Sequence, residues 1–199
     1  MIMRVSSVLV ALALFGFAAG CSEAPVAKFD AGKSAIESAR ANEVELYASE
    51  TFKQATDSLN AAAVEMQNQD SKFSLLRSYG RAEELIAAAE RLTQQAEAEA
   101  VTEKEKTRVA DSILIAELEL LLAETKTALA SAPKAKGTAA DLKVLQGDIE
   151  AASNALAVAA ADYNSGQYMA AKAKLDAIKP QVEGVKAQVE EAIKRITKK

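Results

Sequence analysis

The sequence predicts an all-α, elongated protein in which two antiparallel helical hairpins, each completed to a three-helix bundle, share one long central helix. Three observations predict it. Residues 71–132 contain no proline and one glycine, Gly80, in a run of Ala, Glu, Leu, Lys and Gln that favours helix at nearly every position. On both sides of that run, apolar residues recur at spacings of three and four. Polar turn residues then close a hairpin in each half, around Asn68, Gln69, Asp70 and Ser71 and around Asn164, Ser165 and Gly166. At about 1.5 Å per residue the central helix would be about 90 Å long, more than a compact domain can bury along its whole length.

Composition limits what such a frame can do. Half of the 199 residues are hydrophobic, but there is no Trp and much of the apolar share is alanine, so the cores are thin and the helices close together. The formal charge is −4, and a chain without the segment before Cys21, whose one charge is Arg4, carries −5. That balance argues against a nucleic-acid partner, which attracts stripes of Lys and Arg. With no His and a single Cys, no zinc site or nucleophile–base pair can be assembled, and no glycine-rich phosphate loop is present. Glu83, Glu84, Glu103 and Glu105 lie among Lys and Arg on helix faces, with nothing apolar to raise a pKa. The expectation is a protein that is no enzyme, with no metal, no cofactor and no small-molecule substrate.

Residues 1–20 read as a signal peptide: Arg4 provides the positive start and residues 8–19 (VLVALALFGFAA) the apolar stretch, too short to span a membrane. Ala18, Ala19, Gly20 and Cys21 follow it and resemble the lipobox of bacterial lipoproteins. The resemblance implies cleavage between Gly20 and Cys21, a diacylglycerol thioether on Cys21, and N-acylation of that residue. Ser22 resembles the sorting pattern for the outer membrane, placing the body in the periplasm. An ordinary cleaved signal is the alternative, but it would leave the only thiol of an exported chain without a partner. Residues 21–28 then form a lipidated tether.

The N-terminal bundle is expected over residues 29–95. It starts with a helix at 30–42 that turns Ala31, Ala35, Ile36 and Ala39 inward, then a helix from Ser49 with Phe52, Ala55, Leu59, Ala62 and Met66 as its seam. Ser49 is expected to cap the second helix, and Asp70 or Ser71 the long one. Glu45, Leu46, Tyr47, Ala48, Phe52, Ala55, Leu59, Ala62, Ala82 and Ala89 resemble an Ala-rich helical domain of unknown function from bacterial envelope lipoproteins, over residues 28–100. Members often occur beside peptidoglycan-binding domains; the family has no active site to carry over, and Ser49 stands where members commonly have a proline.

The long helix carries Leu75, Tyr79, Ala82, Ile86 and Ala89 on one stripe and Leu85, Leu92 and Ala96 beside it, two faces for two neighbours. Residues 96–108 are expected to be a bare helical bridge, supported by pairs from Glu103 to Lys106 and from Glu105 to Arg108. Beyond it, Ile113, Leu114, Ile115, Leu118, Leu120, Leu121 and Leu122 are apolar nearly all round. Either this part is surrounded, or Ile113, Leu114, Leu118, Leu121 and Leu122 offer a face to a partner protein or a second copy.

The C-terminal bundle is expected over residues 109–199. Pro133 ends the long helix, Gly137 keeps the loop open, and Thr138 with Asp141 forms a capping pattern. Two seams follow: Leu142, Leu145, Ile149, Ala152, Leu156, Ala159 and Tyr163, then Tyr168, Ala171, Leu175, Ile178, Val182, Val185, Val189, Ala192 and Ile196. Pro180 is expected to kink the last helix, whose basic end complements its dipole. The functional expectation is a lipid-anchored helical spacer or scaffold of the envelope. The alternative is an accessory subunit of an envelope transport or secretion complex, docking through the leucine-rich part of the long helix.

Overall fold

The computed structural model describes residues 23–133 and 139–198. Gly20, Cys21, Gly137 and Thr138, with the cleavage, lipidation, loop and capping roles expected of them, lie outside the described residues. Among the described residues six helices follow one another: α1 (Val26–Ala41), α2 (Val44–Tyr47), α3 (Ser49–Asp70), α4 (Gly80–Ala130), α5 (Ala139–Asn164) and α6 (Tyr168–Thr197), with a 3₁₀ turn, Ser74–Leu76, before α4. The described residues are all-α, with α4 as the long central helix.

Cross-helix contacts set the directions. Lys28 pairs with Glu83 and Glu43 with Lys104, so α1 runs parallel to α4. The Thr51 hydroxyl donates to Glu99 and Ser58 to the Leu85 carbonyl, so α3 runs antiparallel. Beyond the waist, Lys186 meets Glu124 and Lys174 meets Asp162, which sends α5 back along α4 and α6 forward again. Both bundles are therefore up–down–up: α4 is the third helix of the first and the first helix of the second.

The first core combines Ile36, Val44, Phe52, Leu59 and Ile86 with a set of alanines, among them Ala39, Ala62, Ala89, Ala96 and Ala100. Small side chains bring the helices together. A methyl group added at Gly32 of α1 would sit 3.2 Å from Leu59 of α3 and 3.9 Å from Ile86 of α4. Gly32 is buried where Ala31, expected on the inner face, is exposed. The second core is richer in branched side chains: Leu118, Leu122, Leu145, Ile149, Leu156, Leu175, Ile178, Val182 and Val189. Leu145, Ile149, Ala152, Leu156 and Ala159 of α5, and Ala171, Leu175, Ile178, Val182, Val185 and Val189 of α6, are buried as their spacing predicts. The α6 helix continues through Pro180, whose ring is on the exposed face. Between α5 and α6, Gly166 adopts φ +83°, a left-handed conformation open to glycine at little cost.

Three boundaries differ from the sequence expectation. The tether is shorter, because Pro25 is buried and α1 begins at Val26. Ser49 is the first residue of α3 and caps nothing, the N-cap position being Ala48. The long helix starts at Gly80 rather than Ser71, leaving 51 residues and a length of about 77 Å. Helix α3 uses the polar stretch 68–70 for its own last turn, so the reversal falls on residues 71–79. Side chains organise that loop: Arg77 donates to the carbonyls of Asp70 (2.8 Å) and Lys72 (3.0 Å), the Gln69 amide oxygen accepts the Ser78 N–H (3.1 Å), and the Tyr79 hydroxyl donates to the Asp70 carboxylate. Neither Asp70 nor Ser71 caps α4, and Leu75 is exposed instead of on the inner stripe.

Candidate interaction site on the shared helix

From Ala100 to Asp111, α4 changes neighbours, and no side chain between them is fully buried. The bridge expected over 96–108 is nevertheless not bare. Ala96 and Ala100 belong to the first core, which reaches about five residues further than expected. Past them, the α1–α2 corner arrives from one side. Glu43 at that corner holds φ 63°, a left-handed conformation uncommon for a side-chain-bearing residue, and its carboxylate accepts from the Lys104 ammonium at 2.8 Å. The same ammonium lies 5.6 Å from the centre of the Tyr47 ring. Glu43 holds the Lys104 pKa above its ordinary value against partial burial.

The α5–α6 turn arrives from the other side. Its two tyrosines, Tyr163 and Tyr168, pack with ring centres 5.3 Å apart and planes tilted by 55°. Tyr163 adjoins Arg108, which also makes a two-pronged pair with Glu105 at 2.7 and 2.8 Å. Tyr168 adjoins Lys104, and the Met169 backbone approaches the Tyr47 hydroxyl. Burial raises the Tyr47 pKa, with Lys104 pulling it the other way. Both bundles thus meet over Lys104 across one turn of α4. The expectation of a bare bridge fails because the side chains of the corner and of the turn reach past the ends of the helices that carry them. The Glu103–Lys106 and Glu105–Arg108 pairs form at 3.0 and 2.7 Å, as expected for i, i+3 partners. Being solvent-exposed and screened by water, they favour the helix locally and add little to the stability of the fold.

Asp111 is the first α4 residue inside the second bundle and is only 3% exposed. One carboxylate oxygen, Oδ2, has no hydrogen-bond partner. Loss of hydration raises its pKa, the Lys172 ammonium opposes that shift, and Asp176 adds to it. Nothing in the pattern of the sequence marked it. A raised carboxyl pKa means that the folded state favours the protonated form, so the contribution to stability is present in acid and is lost as pH rises from the unfolded value of 3.8 through the folded one. Asp111→Ala is expected to stabilise the chain at pH 7 by about 1 kcal/mol, with a gain that shrinks toward acid. Thermal melts of both proteins across that pH range check it.

The face proposed from Ile113, Leu114, Leu118, Leu121 and Leu122 is divided by the fold. Leu118 and Leu122 are buried in the second core, and Leu114, Ile115 and Leu121 pack against it, so these positions do not form a free partner face. α5 and α6 both seal on α4 here, which covers five of the seven apolar residues, Leu114, Ile115, Leu118, Leu121 and Leu122. Ile113 and Leu120 remain outside, 55% and 62% exposed. With Val109 and Ala116, also exposed, they make an outer stripe spaced four, three and four, unobserved in the sequence because it was hidden among the core leucines.

Two grooves accompany these surfaces. One of 290 Å³ lies at the waist among Asn42, Val44, Tyr47, Ala100, Val101 and Lys104. One of 630 Å³ lies between α4 and α5 at the far end, lined by Leu129, Ala132, Leu142 and Ile149 with Lys126, Lys143 and Glu150 beside them. Among the described residues no group of three or more His, Cys, Asp or Glu is placed to hold a metal ion, and no helix is long and apolar enough to cross a membrane. No family model, curated protein or solved structure matches the chain.

Proposed function

We propose that this protein is a non-catalytic, lipid-anchored envelope lipoprotein, held to the outer membrane through Cys21, that works as a helical spacer or scaffold. One observation carries the reading. A continuous 51-residue helix joins two bundles, and the first described residue, Glu23, stands two positions after Cys21, at the end of the molecule where α4 begins. Residue 130 is then about 75 Å further along that helix. An anchor at one end and a second core at the other is the geometry of a stand-off. The waist supports it, since the α1–α2 corner and the α5–α6 turn buttress the only part of α4 that lacks a core of its own.

Cys21→Ser is expected to move the protein from the membrane pellet to the soluble fraction and to abolish metabolic labelling with palmitate, with the helical circular dichroism unchanged. Labelling that survives the substitution would overturn the anchor. Several acyl chains at about 0.8 kcal/mol per buried methylene make the native association firm, so the difference is all-or-none in a fractionation.

The outer stripe favours a second reading, docking to a helix of an envelope partner or of a second copy. Ile113→Asp with Leu120→Asp is expected to leave the melting temperature within a few degrees, because both side chains are exposed, an effect of about 0.5 kcal/mol or less. Photo-crosslinking along residues 93–122 in intact cells distinguishes the readings: one dominant partner, lost in the double variant, makes this an accessory subunit, and self-crosslinks or none leave the spacer.

A further inference from the structure

The loop between α3 and α4 exposes three large apolar side chains in a row of four residues: Phe73 is 68% exposed, Leu75 76% and Leu76 72%. In a protein whose cores are short of large side chains, these have no neighbour to bury them. The loop is also built to keep them outside. Arg77, Gln69, Ser78, Tyr79 and Asp70 bond to one another beneath it, and the Leu76 N–H closes a turn on the Phe73 carbonyl at 2.8 Å. Within residues 71–79 the charged residues are Lys72 and Arg77, both basic; Arg77 is half-buried and paired with the Asp70 carboxylate at 3.8 Å, and Lys72 is exposed.

Position supplies the second argument. Gly32 lies level with both Leu59 and Ile86, so Val26, six residues earlier on α1, stands level with the start of α4. The α3 helix runs the other way and passes that level by its last turn, which puts the 71–79 loop at the same end of the bundle as the start of α1 and slightly beyond it. Pro25, at the N-cap position of α1, is buried, so the chain is held against the bundle up to the start of that helix. Cys21 is two residues from Glu23, no more than about 7 Å of backbone.

We infer that residues 72–77 form an apolar tip that enters the acyl region of the bilayer beside the Cys21 lipid, with Lys72 at the level of anionic headgroups. The inference rests on the lipid-anchored reading for its setting and on the loop for its chemistry. An acyl anchor alone is a swivel. A second contact a short distance away fixes the angle at which the rod leaves the membrane, as the spacer role requires. Exposed apolar groups on a loop beside the exposed Lys72 match a bilayer that contains anionic lipids.

The chain has no Trp, so a single one reports its own surroundings. Phe73→Trp and, as a control on the outer surface of the far bundle, Leu120→Trp are made in the lipidated chain and reconstituted into phosphatidylethanolamine–phosphatidylglycerol vesicles with brominated acyl chains. The tip predicts a blue-shifted, strongly quenched emission for Phe73→Trp and water-like, unquenched emission for Leu120→Trp. Equal, water-like emission from both, on vesicles that sediment with protein, overturns the tip and leaves the anchor standing. Should Cys21 carry no lipid, the anchor reading fails instead, and the tip is decided on the chain from Ser22 onward, which keeps every described residue. Its binding to the same vesicles should then fall at least about tenfold when Phe73, Leu75 and Leu76 are all changed to Ser. Binding unaltered by that change overturns the inference.

Discussion

Phe52→Ala is expected to remove about 3–5 kcal/mol of stability and to bring the N-terminal bundle to the edge of unfolding. The size of the effect comes from what surrounds it. Phe52 is the largest fully buried side chain of the first bundle, in a core otherwise made of Ile36, Val44, Leu59, Ile86 and alanines. An alanine seam cannot collapse into the space a ring leaves, because its side chains already have no reach. The substitution also takes away the ring face on which the Arg40 guanidinium rests, 5.3 Å from its centre. Arg40 and Glu45 at 3.2 Å would then hold the α1–α2 corner with one fewer contact. Urea unfolding followed by circular dichroism is the measurement, with Phe52→Leu as a milder comparison. The second bundle, with its own leucine and valine core, should keep its transition, so a two-step curve is expected. A loss below about 1 kcal/mol would mean that backbone proximity along the alanine seams, rather than the ring, holds the first bundle together.

Lys106→Pro is expected to cost about 3 kcal/mol or more and to bend the molecule at its waist. The site is chosen because its side chain is exposed and pairs only with Glu103, so nearly all of the effect is backbone. A proline there removes one i to i−4 hydrogen bond and its ring collides with the carbonyl of Thr102, in the stretch where α4 has no core to hold it straight. Small-angle scattering should show a shorter maximum dimension and altered bundle spacing. Lys106→Gly, at about 1 kcal/mol, should weaken the helix without the bend. An unchanged scattering profile for the proline variant would mean that the clamp of Glu43, Tyr47, Lys104, Tyr163 and Tyr168 sets the shape and the continuity of α4 does not.

How much of this could be read from the chain differs by element. The seams of α5 and α6 were legible residue by residue, because each helix buries one stripe and the stripe repeats at the helical period. The α3 seam was equally plain from Phe52 to Ala62. The start of α4 was not. A pattern without proline, and with Gly80 as its one glycine, is compatible with helix from Ser71 on, and what ends α3 and delays α4 is a set of bonds among Gln69, Asp70, Lys72, Arg77, Ser78 and Tyr79 that no periodicity encodes. In the candidate docking face, seven apolar residues crowd nearly three turns of helix, residues 113–122, so the sequence could not say which would meet a neighbour. The fold assigned Leu118 and Leu122 to the core and left Ile113 and Leu120 outside.

The sequence by itself determined the helical class, the sharing of one long helix by two bundles, and the inner faces of α3, α5 and α6, since propensity and 3.6-residue periodicity are properties of neighbouring residues. Only the tertiary structure decided that the two bundles meet over Lys104, that Asp111 is sealed in with an unpartnered oxygen, and that Phe73, Leu75 and Leu76 are gathered at the end of the bundle where α1 begins. Each of these depends on residues far apart in the chain and on how α1, α3 and the α5–α6 turn are aligned along α4. Alignment of that kind is set by packing across helices, on which local spacing carries no information.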